Sequence, residues 1–183
     1  GIVTTGGGGG LPPAPPCGVF PSGTTLNSGQ SLVSCNQLYS LTPQGDSNLV
    51  LYKTNVGDLW ATMTIRNTPV RLVMQGNGNL VLYDGANNAI WASGTNGNPG
   101  AFFRLQDDGN GVIYSANGTS ALWATGTNGM KYPCGRLTAN QFLGPNEHNH
   151  SCNGEYRLYM QGDGNLVLYS ISKGLSFIRA RWW

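Results

Sequence analysis

Gln75-Gly76-Asn77-Gly78-Asn79-Leu80-Val81-Leu82-Tyr83 is one of four nine-residue stretches whose reading decides the fold of this chain. The others are Gln44-Gly45-Asp46-Ser47-Asn48-Leu49-Val50-Leu51-Tyr52, Gln106-Asp107-Asp108-Gly109-Asn110-Gly111-Val112-Ile113-Tyr114 and Gln161-Gly162-Asp163-Gly164-Asn165-Leu166-Val167-Leu168-Tyr169. All four read Q-x-[DN]-x-N-x-V-x-Y. The fixed residues fall on every second position, the period at which a β-strand returns to the same face. The pattern therefore predicts a strand with an amide, a carboxylate or second amide, another amide, a small apolar group and a phenol along one face. No hydrophobic core requires that set. The residues in between are apolar (Met74, Leu80 and Leu82 in the second copy, Met160, Leu166 and Leu168 in the fourth) and predict a core-facing side. Pro43 stands where the methionines would be, which predicts an edge strand or a bulge, and Gly111 replaces a leucine.

The first three copies are evenly spaced, with 31 residues from Gln44 to Gln75 and 31 from Gln75 to Gln106. Each is followed by an aromatic signature: Leu59-Trp60-Ala61-Thr62, Ile90-Trp91-Ala92-Ser93 and Leu122-Trp123-Ala124-Thr125. A fixed period of this size means repeated supersecondary units that share one core. Each unit reads as an antiparallel sheet of about three to four strands. Its tryptophan packs with the others at the centre; the alternative is that it stacks on a ligand.

A longer repeat overlies the short one. Cys17 and Cys134, Cys35 and Cys152, and Gln44 and Gln161 are each 117 residues apart. A second domain is therefore expected to open near Lys131 and to stop after one unit. The expected organisation is a Gly/Pro-rich arm or linker over 1–16, a three-unit domain over 17–130, and the first unit of an incomplete second domain over 131–183. In the arm, Ile2, Val3, Thr4 and Thr5 precede the run Gly6 to Gly10. At the far end, Leu175 to Trp183 places Phe177 at the offset of Trp60, and Trp182 and Trp183 call for an apolar partner.

Composition narrows the function. Of 183 residues only 10% are charged and the formal net charge is +2, which gives no electrostatic case for nucleic acid or a membrane surface. No apolar run reaches the length of a membrane span. Gly at 28 residues, with frequent Asn, Ser and Thr, suits many tight turns between short strands. No amphipathic helix is legible. The chain has no initiator Met and no signal-peptide core, so a processed product or part of a longer one is expected. Four cysteines and the sequons Asn117-Gly118-Thr119 and Asn149-His150-Ser151 fit a secreted glycoprotein, although Asn117 reads equally as a turn residue beside Gly118. Each 18-residue cysteine step reads as a local disulfide, Cys17 with Cys35 and Cys134 with Cys152. His148 and His150 have metal-like spacing but no matching pair elsewhere, so a solvated loop and no metal are expected. Asp107 and Asp108 are adjacent and point to opposite faces of a strand, so they cannot act on one substrate. No nucleophile elbow, phosphate loop or zinc-type cysteine pairing is present. No enzyme activity and no cofactor are expected.

Short, stiff hydrogen-bonding groups beside one apolar contact suit a sugar ring, with its hydroxyls and its C–H patch. The four motifs, three of them at a period of 31 residues with W-A-[TS] between, closely resemble the bulb-type, or monocot mannose-binding, lectins. The resemblance covers residues 23–130 fully and 134–177 in part. It implies an all-β fold, the β-prism II, with three four-stranded sheets around a pseudo-threefold axis and one sugar site per sheet, followed here by a partial second prism. It also implies roles. Asp46 and Asn48 would take the axial 2-hydroxyl of mannose, Gln44 the 3-hydroxyl, Tyr52 the 4-hydroxyl, and Val50 the ring carbons. The same roles pass to Gln106, Asp108, Asn110, Val112 and Tyr114, and to Gln161, Asp163, Asn165, Val167 and Tyr169. In the second copy Gln75, Asn79, Val81 and Tyr83 conform, but Asn77 replaces the aspartate, which predicts weaker binding there.

Two functions compete on the sequence. One is non-catalytic, multivalent capture of terminal mannose or mannose-rich glycans. The other is an extracellular structural or assembly role on a lectin scaffold with degenerate sugar binding. The incomplete second domain motivates the latter, because a lone unit leaves an apolar face that a homo-oligomer or further chain would cover.

Overall fold

A computed structural model describes residues 16–170 and, as backbone, 176–178. The expectations for the arm up to Pro15 and for Trp182 and Trp183 lie outside the described residues. Among the described residues sixteen short strands follow one another: β1 (Val19–Phe20), β2 (Thr25–Asn27), β3 (Leu32–Val33), β4 (Tyr39–Pro43), β5 (Leu49–Lys53), β6 (Gly57–Ala61), β7 (Val70–Met74), β8 (Leu80–Asp84), β9 (Ala89–Ala92), β10 (Phe102–Leu105), β11 (Gly111–Tyr114), β12 (Ala121–Ala124), β13 (His148–His150), β14 (Tyr156–Met160), β15 (Leu166–Ser170) and β16 (Ser176–Ile178). Among the described residues there is no helix. The strands form four antiparallel four-stranded sheets: I, β3-β4-β5-β6; II, β2-β7-β8-β9; III, β1-β10-β11-β12; and IV, β13-β14-β15-β16.

Each of sheets I to III takes three strands from its own 31-residue unit. The fourth comes from the segment before the first motif, which lays β1 on sheet III, β2 on sheet II and β3 on sheet I. One stretch of chain therefore ties all three units together. Val19 pairs with Arg104 and Phe20 with Phe103, so β1 supplies the fourth strand of sheet III.

The core lies where the three sheets meet. Leu41, Leu49 and Leu51 from sheet I, Leu72, Met74, Leu80 and Leu82 from sheet II, and Phe103, Leu105 and Ile113 from sheet III are almost fully buried. These are the apolar alternates of the motif and of the strand before it, as the period of two requires. The tryptophans join them. Trp60, Trp91 and Trp123 meet edge to face with ring centroids 5.6, 5.7 and 5.6 Å apart and interplanar angles of 73°, 75° and 71°. That arrangement suits the ring quadrupole and gives the three units a common axis.

Gly111 is explained by its neighbour. A Cβ there would lie 2.6 Å from the Phe103 ring. Phe103 occupies the register position of Leu41 and Leu72, and Gly111 that of Leu49 and Leu80, so in sheet III the larger ring on β10 fills the space of the side chain missing from β11. Pro43 lies neither on an edge strand nor at a bulge. It ends the inner strand β4, past the reach of two-residue β3. Met74 accepts from Gly23 N–H (2.7 Å) and donates to Thr24 O (3.0 Å). Pro43 keeps the acceptor half, from Gly29 N–H at 2.9 Å, and has no donor to lose there.

Sheet IV reproduces sheet I at the 117-residue offset. Ser34 Oγ donates to Asn36 Oδ1 at 2.7 Å, and Ser151 Oγ donates to Asn153 Oδ1 at 2.7 Å. Both disulfides form, Cys17–Cys35 and Cys134–Cys152. The Cys134–Cys152 segment docks on the outer edge of sheet I. Cys134 N–H donates to Asp58 O and Ala61 N–H to Cys152 O, both at 2.7 Å, and Arg136 pairs with Asp58 at 3.2 Å. The alignment of Phe177 with Trp60 does not carry into strand register. Leu51 pairs with Trp60, but Leu168 pairs with Ile178, and Phe177 lies opposite Tyr169. The β5–β6 pair has a bulge between Leu51 and Tyr52, which shifts its register relative to the offset.

Candidate functional site

The motif is not one strand. Gln44, Asp46 and Asn48 lie in the turn joining β4 to β5, and only Val50 and Tyr52 lie in β5. The other three copies divide in the same way. Each turn is closed by the Gln N–H donating to the Asn carbonyl, at 2.8, 2.9, 2.9 and 2.8 Å from the first copy to the fourth. The residue before the Asn must take a positive φ: 91° at Gly78, 89° at Gly109, 87° at Gly164 and 73° at Ser47. Glycine takes that conformation without steric cost. Ser47 is held there by its hydroxyl, which donates to Thr68 O at 2.6 Å and accepts from Thr68 N–H at 3.1 Å.

The folded turn returns Gln to the strand. Its Nε2 donates to the Tyr hydroxyl in every copy, at 2.8 Å for Gln44–Tyr52, Gln75–Tyr83 and Gln161–Tyr169 and 2.9 Å for Gln106–Tyr114. Between them Val50, Val81 and Val112 are only 3%, 2% and 3% exposed, so the apolar strip is narrow. One oxygen of the third motif residue accepts the Asn N–H, at 3.0 Å for Asp46 and Asn77, 2.9 Å for Asp108 and 3.1 Å for Asp163. Asn77 thus preserves the geometry and removes the charge.

The W-A-[TS] signature has a second task, for which the sequence reading gave it no credit. The segment after it fixes the motif asparagine from behind. Asn110 Oδ1 accepts Gly126 N–H at 2.9 Å and Thr127 N–H at 3.3 Å, with Thr125 Oγ1 at 3.1 Å. Asn79 Oδ1 accepts Gly94 N–H at 3.0 Å and Thr95 N–H at 3.2 Å, and Asn48 Oδ1 accepts Met63 N–H at 2.9 Å. Backbone donors identify that atom as the oxygen, so the Nδ2 donors are left for the open side. Thr64, Thr95 and Thr127 hydroxyls donate to the turn carbonyls of Ser47, Gly78 and Gly109, at 2.6, 2.7 and 2.6 Å. The full signal is therefore W-A-[TS]-x-T, which is legible in the sequence once its partner is known.

The fourth site is arranged differently. Asn165 Nδ2 donates to Asp163 Oδ2 at 2.8 Å, and these hydrogen bonds to Asn165 lower the Asp163 pKa. Asp107, next to the third site, is structural. It accepts Asn36 N–H at 2.8 Å and anchors the Cys17–Cys35 hairpin.

Three further residues differ from expectation. His148 and His150 are not in a solvated loop but on strand β13, stacked with centroids 4.8 Å apart. His150 is 2% exposed, and its Nε2 accepts from Arg157 Nε at 2.6 Å. Burial, then Arg157 and His148, pushes its pKa down to about 3. Asn149 is no accessible glycosylation acceptor. It is 6% exposed, and its Nδ2 donates to Pro133 O and Arg136 O at 3.0 and 2.9 Å. Asn117 is exposed in the turn between β11 and β12. Asp58 lies beside Cys134 and Cys152, a grouping of metal-ligand type, but the two sulfurs are bonded to each other and supply no thiolate.

Solved structures resemble this chain. The monomeric monocot mannose-binding lectins from Gastrodia elata are 39% identical, with a TM-score of 0.54 over 60% of this chain and 97% of theirs. The mannose-specific agglutinin from snowdrop (Galanthus nivalis) bulbs, complexed with methyl-α-D-mannoside, is 39% identical, with a TM-score of 0.50 over 61% and 97%. A lectin of Marasmius oreades is 28% identical, with a TM-score of 0.55 over 60% and 91%. No protein-family model and no curated protein sequence matches.

Proposed function

This chain belongs to the bulb-type (monocot) mannose-binding lectins, β-prism II carbohydrate-binding proteins, and from that premise we propose that it captures terminal mannose multivalently and without catalysis. The observation that carries the reading is the fixing of Asn48, Asn79 and Asn110 from behind. Their amides are oriented before any ligand arrives, which reduces the ordering cost of binding. A 2-hydroxyl seated between the Asp and Asn groups donates to the carboxylate and accepts from Nδ2. Gln and Tyr, already bonded to each other, take the 3- and 4-hydroxyls. A sugar with an equatorial 2-hydroxyl leaves the Asp and Asn groups partly unpaired, and that is the basis of discrimination.

Such shallow sites bind weakly, with a Kd near about 1 mM, or about −4 kcal/mol. Useful affinity then comes from several sites on one body. The site residues are the four motif quintets, with the Asn77 site the weakest of the first three. We assign residues 17–130 to the complete prism and 131–183 to the opening of a second, in a secreted protein with Asn117 as its accessible glycosylation acceptor.

A second, compatible reading concerns assembly. Tyr39 is 8% exposed, whereas Tyr156, its counterpart at the 117 offset, is 41% exposed, and Leu158, Leu166 and Leu168 are only half-buried. A further copy or further chain would complete that side. Glycan-array binding tests the main reading: Asp46→Ala, Asp108→Ala and Asp163→Ala together should remove the multivalent mannose binding and leave only the weak Asn77 site. Equal array profiles for the variant and the unmodified chain would sink it.

A further inference from the structure

The backbone that fixes the motif asparagine is open to solvent at two sites and covered at one. Its first N–H donor is Met63 at the first site, Gly94 at the second and Gly126 at the third. All three have a positive φ, of 57°, 74° and 70°. Met63 is 57% exposed, and a Cβ on Gly94 would meet no atom within 4 Å. Gly126 is half-buried. A Cβ there would lie 3.3 Å from Arg157 Nη2 and 3.4 Å from His150 Cε1. Both groups belong to sheet IV, where His150 on β13 stands opposite Arg157 on β14. The next hairpin widens the contact: a Cβ on Gly154 would lie 3.2 Å from Trp60 Nε1 and 3.9 Å from Thr125 O.

The covering groups are themselves held. Arg157 Nε donates to His150 Nε2 at 2.6 Å, and His150 stacks on His148 with centroids 4.8 Å apart. His148 stacks in turn on Tyr159 at 6.2 Å. Sheet I carries Ser40 and Val33 at the same two places, 117 residues earlier and in the same register. The Arg–His pair is therefore peculiar to sheet IV and is no requirement of the repeat. What it touches is the N–H that donates to Asn110 Oδ1 at 2.9 Å. Gly126 has no side chain of its own to hold that N–H in place, so a neighbour's side chains must do it.

Resting on the reading of these motifs as mannose sites, we infer that Arg157 and His150 are positioning residues for the third site. They bear on Gly126, Gly126 fixes Asn110, and Asn110 keeps its Nδ2 aimed at the sugar's 2-hydroxyl. Neither the first nor the second site has such backing. Sheet IV thus has a use beyond its own motif, because it steadies a site on sheet III. The coupling is reciprocal, so mannose in the third site also steadies Arg157.

NMR of the whole isotope-labelled chain tests this, in an Asp163→Ala background that silences the fourth site, whose Tyr169 also adjoins Arg157. Without sugar, Arg157→Ser and His150→Val, the residues of sheet I, should each shift the Asn110 side-chain amide and leave those of Asn48 and Asn79 in place. With methyl α-mannoside, Arg157→Ser should bind several-fold more weakly at the third site and equally well at the first and second. Arg157→Lys, which keeps a donor for His150, should recover part of the loss. In the chain that keeps Arg157, the sugar should move Arg157 Nε–H with the same midpoint as the Asn110 amide. That measurement alters nothing in β13 or β14 and decides the matter even where the variants unfold sheet IV. The inference is overturned by an Asn110 amide that neither variant moves, by equal weakening of the first three sites, or by an Arg157 Nε–H that stays still while Asn110 titrates. If no sugar shifts Asn110, the mannose reading fails for this site, and the sugar-free spectra still judge the positioning.

Discussion

Asn77 is the residue at which the site's energetics can be isolated, because its Oδ1 makes the same turn bond as the aspartates and differs chiefly in charge. Asn77→Asp should strengthen mannose binding at the second site by about 1–2 kcal/mol, the gain of a charge-assisted bond over a neutral one. Site-resolved NMR titration measures it, and an unchanged affinity would show that charge does not matter there. Thr127 tests pre-organisation. Its hydroxyl donates to Gly109 O at 2.6 Å and its N–H helps hold Asn110. Thr127→Val should weaken the third site while the other two of sheets I and II keep their affinity. Gly111 tests packing. Gly111→Leu should destabilise the fold by about 1–3 kcal/mol, because its side chain enters the Phe103 ring. Adding Phe103→Leu should recover much of that loss in a denaturation double-mutant cycle.

At the scale of elements, the strand period found β5, β8, β11 and β15 and named the core residues Met74, Leu80 and Leu82, whereas Met160, Leu166 and Leu168 of sheet IV, expected to face a core, are only half-buried. The period overextended the strands, because an alternating pattern of polar residues looks the same in a strand and in a turn that folds back onto one. The positive φ at Ser47 marks where the strand reading ends, and Gly78, Gly109 and Gly164 supplied that hint in the other copies. Strand β13 was missed because His-Asn-His is polar and short. Its burial comes from a packing partner distant in sequence: a Cβ on Gly126 would lie 3.4 Å from the His150 ring. This makes sheet IV sensitive to acid. The folded His150 pKa, about 3, lies below the ordinary histidine value of 6.5, so the unfolded chain binds a proton in that interval that the folded one refuses. Stability is therefore full above about pH 6.5 and falls with acidification, by about 2 kcal/mol at pH 5. His148, lowered by burial and Arg157, adds in the same direction. Hydrogen exchange should show β13 and β14 amides losing protection between pH 6.5 and 5 ahead of sheets I to III, and His150→Phe should remove much of the difference. Uniform loss across all four sheets would contradict this account.

For the whole molecule, several weak sites on one body should give avidity without high affinity at any one of them. Binding to a dense mannose surface should exceed binding to free methyl α-mannoside by orders of magnitude. It should fall steeply when the first and third sites are removed together by Asp46→Ala and Asp108→Ala. Surface plasmon resonance at varied ligand density checks this, and an affinity independent of density would refute it. By itself the sequence determined that the chain is all-β, that three units share one core with a tryptophan each, that a fourth copies the first, and which five residues recur. Those follow from periodicity, which is a local property of the chain. Only the tertiary structure decided that β1, β2 and β3 are dealt out one to each sheet, that W-A-[TS]-x-T holds the motif asparagine, and that Arg157 and His150 lie against Gly126 behind the third site. Each of these depends on groups meeting across tens of residues, and no local pattern encodes which unpaired edge a short strand will find.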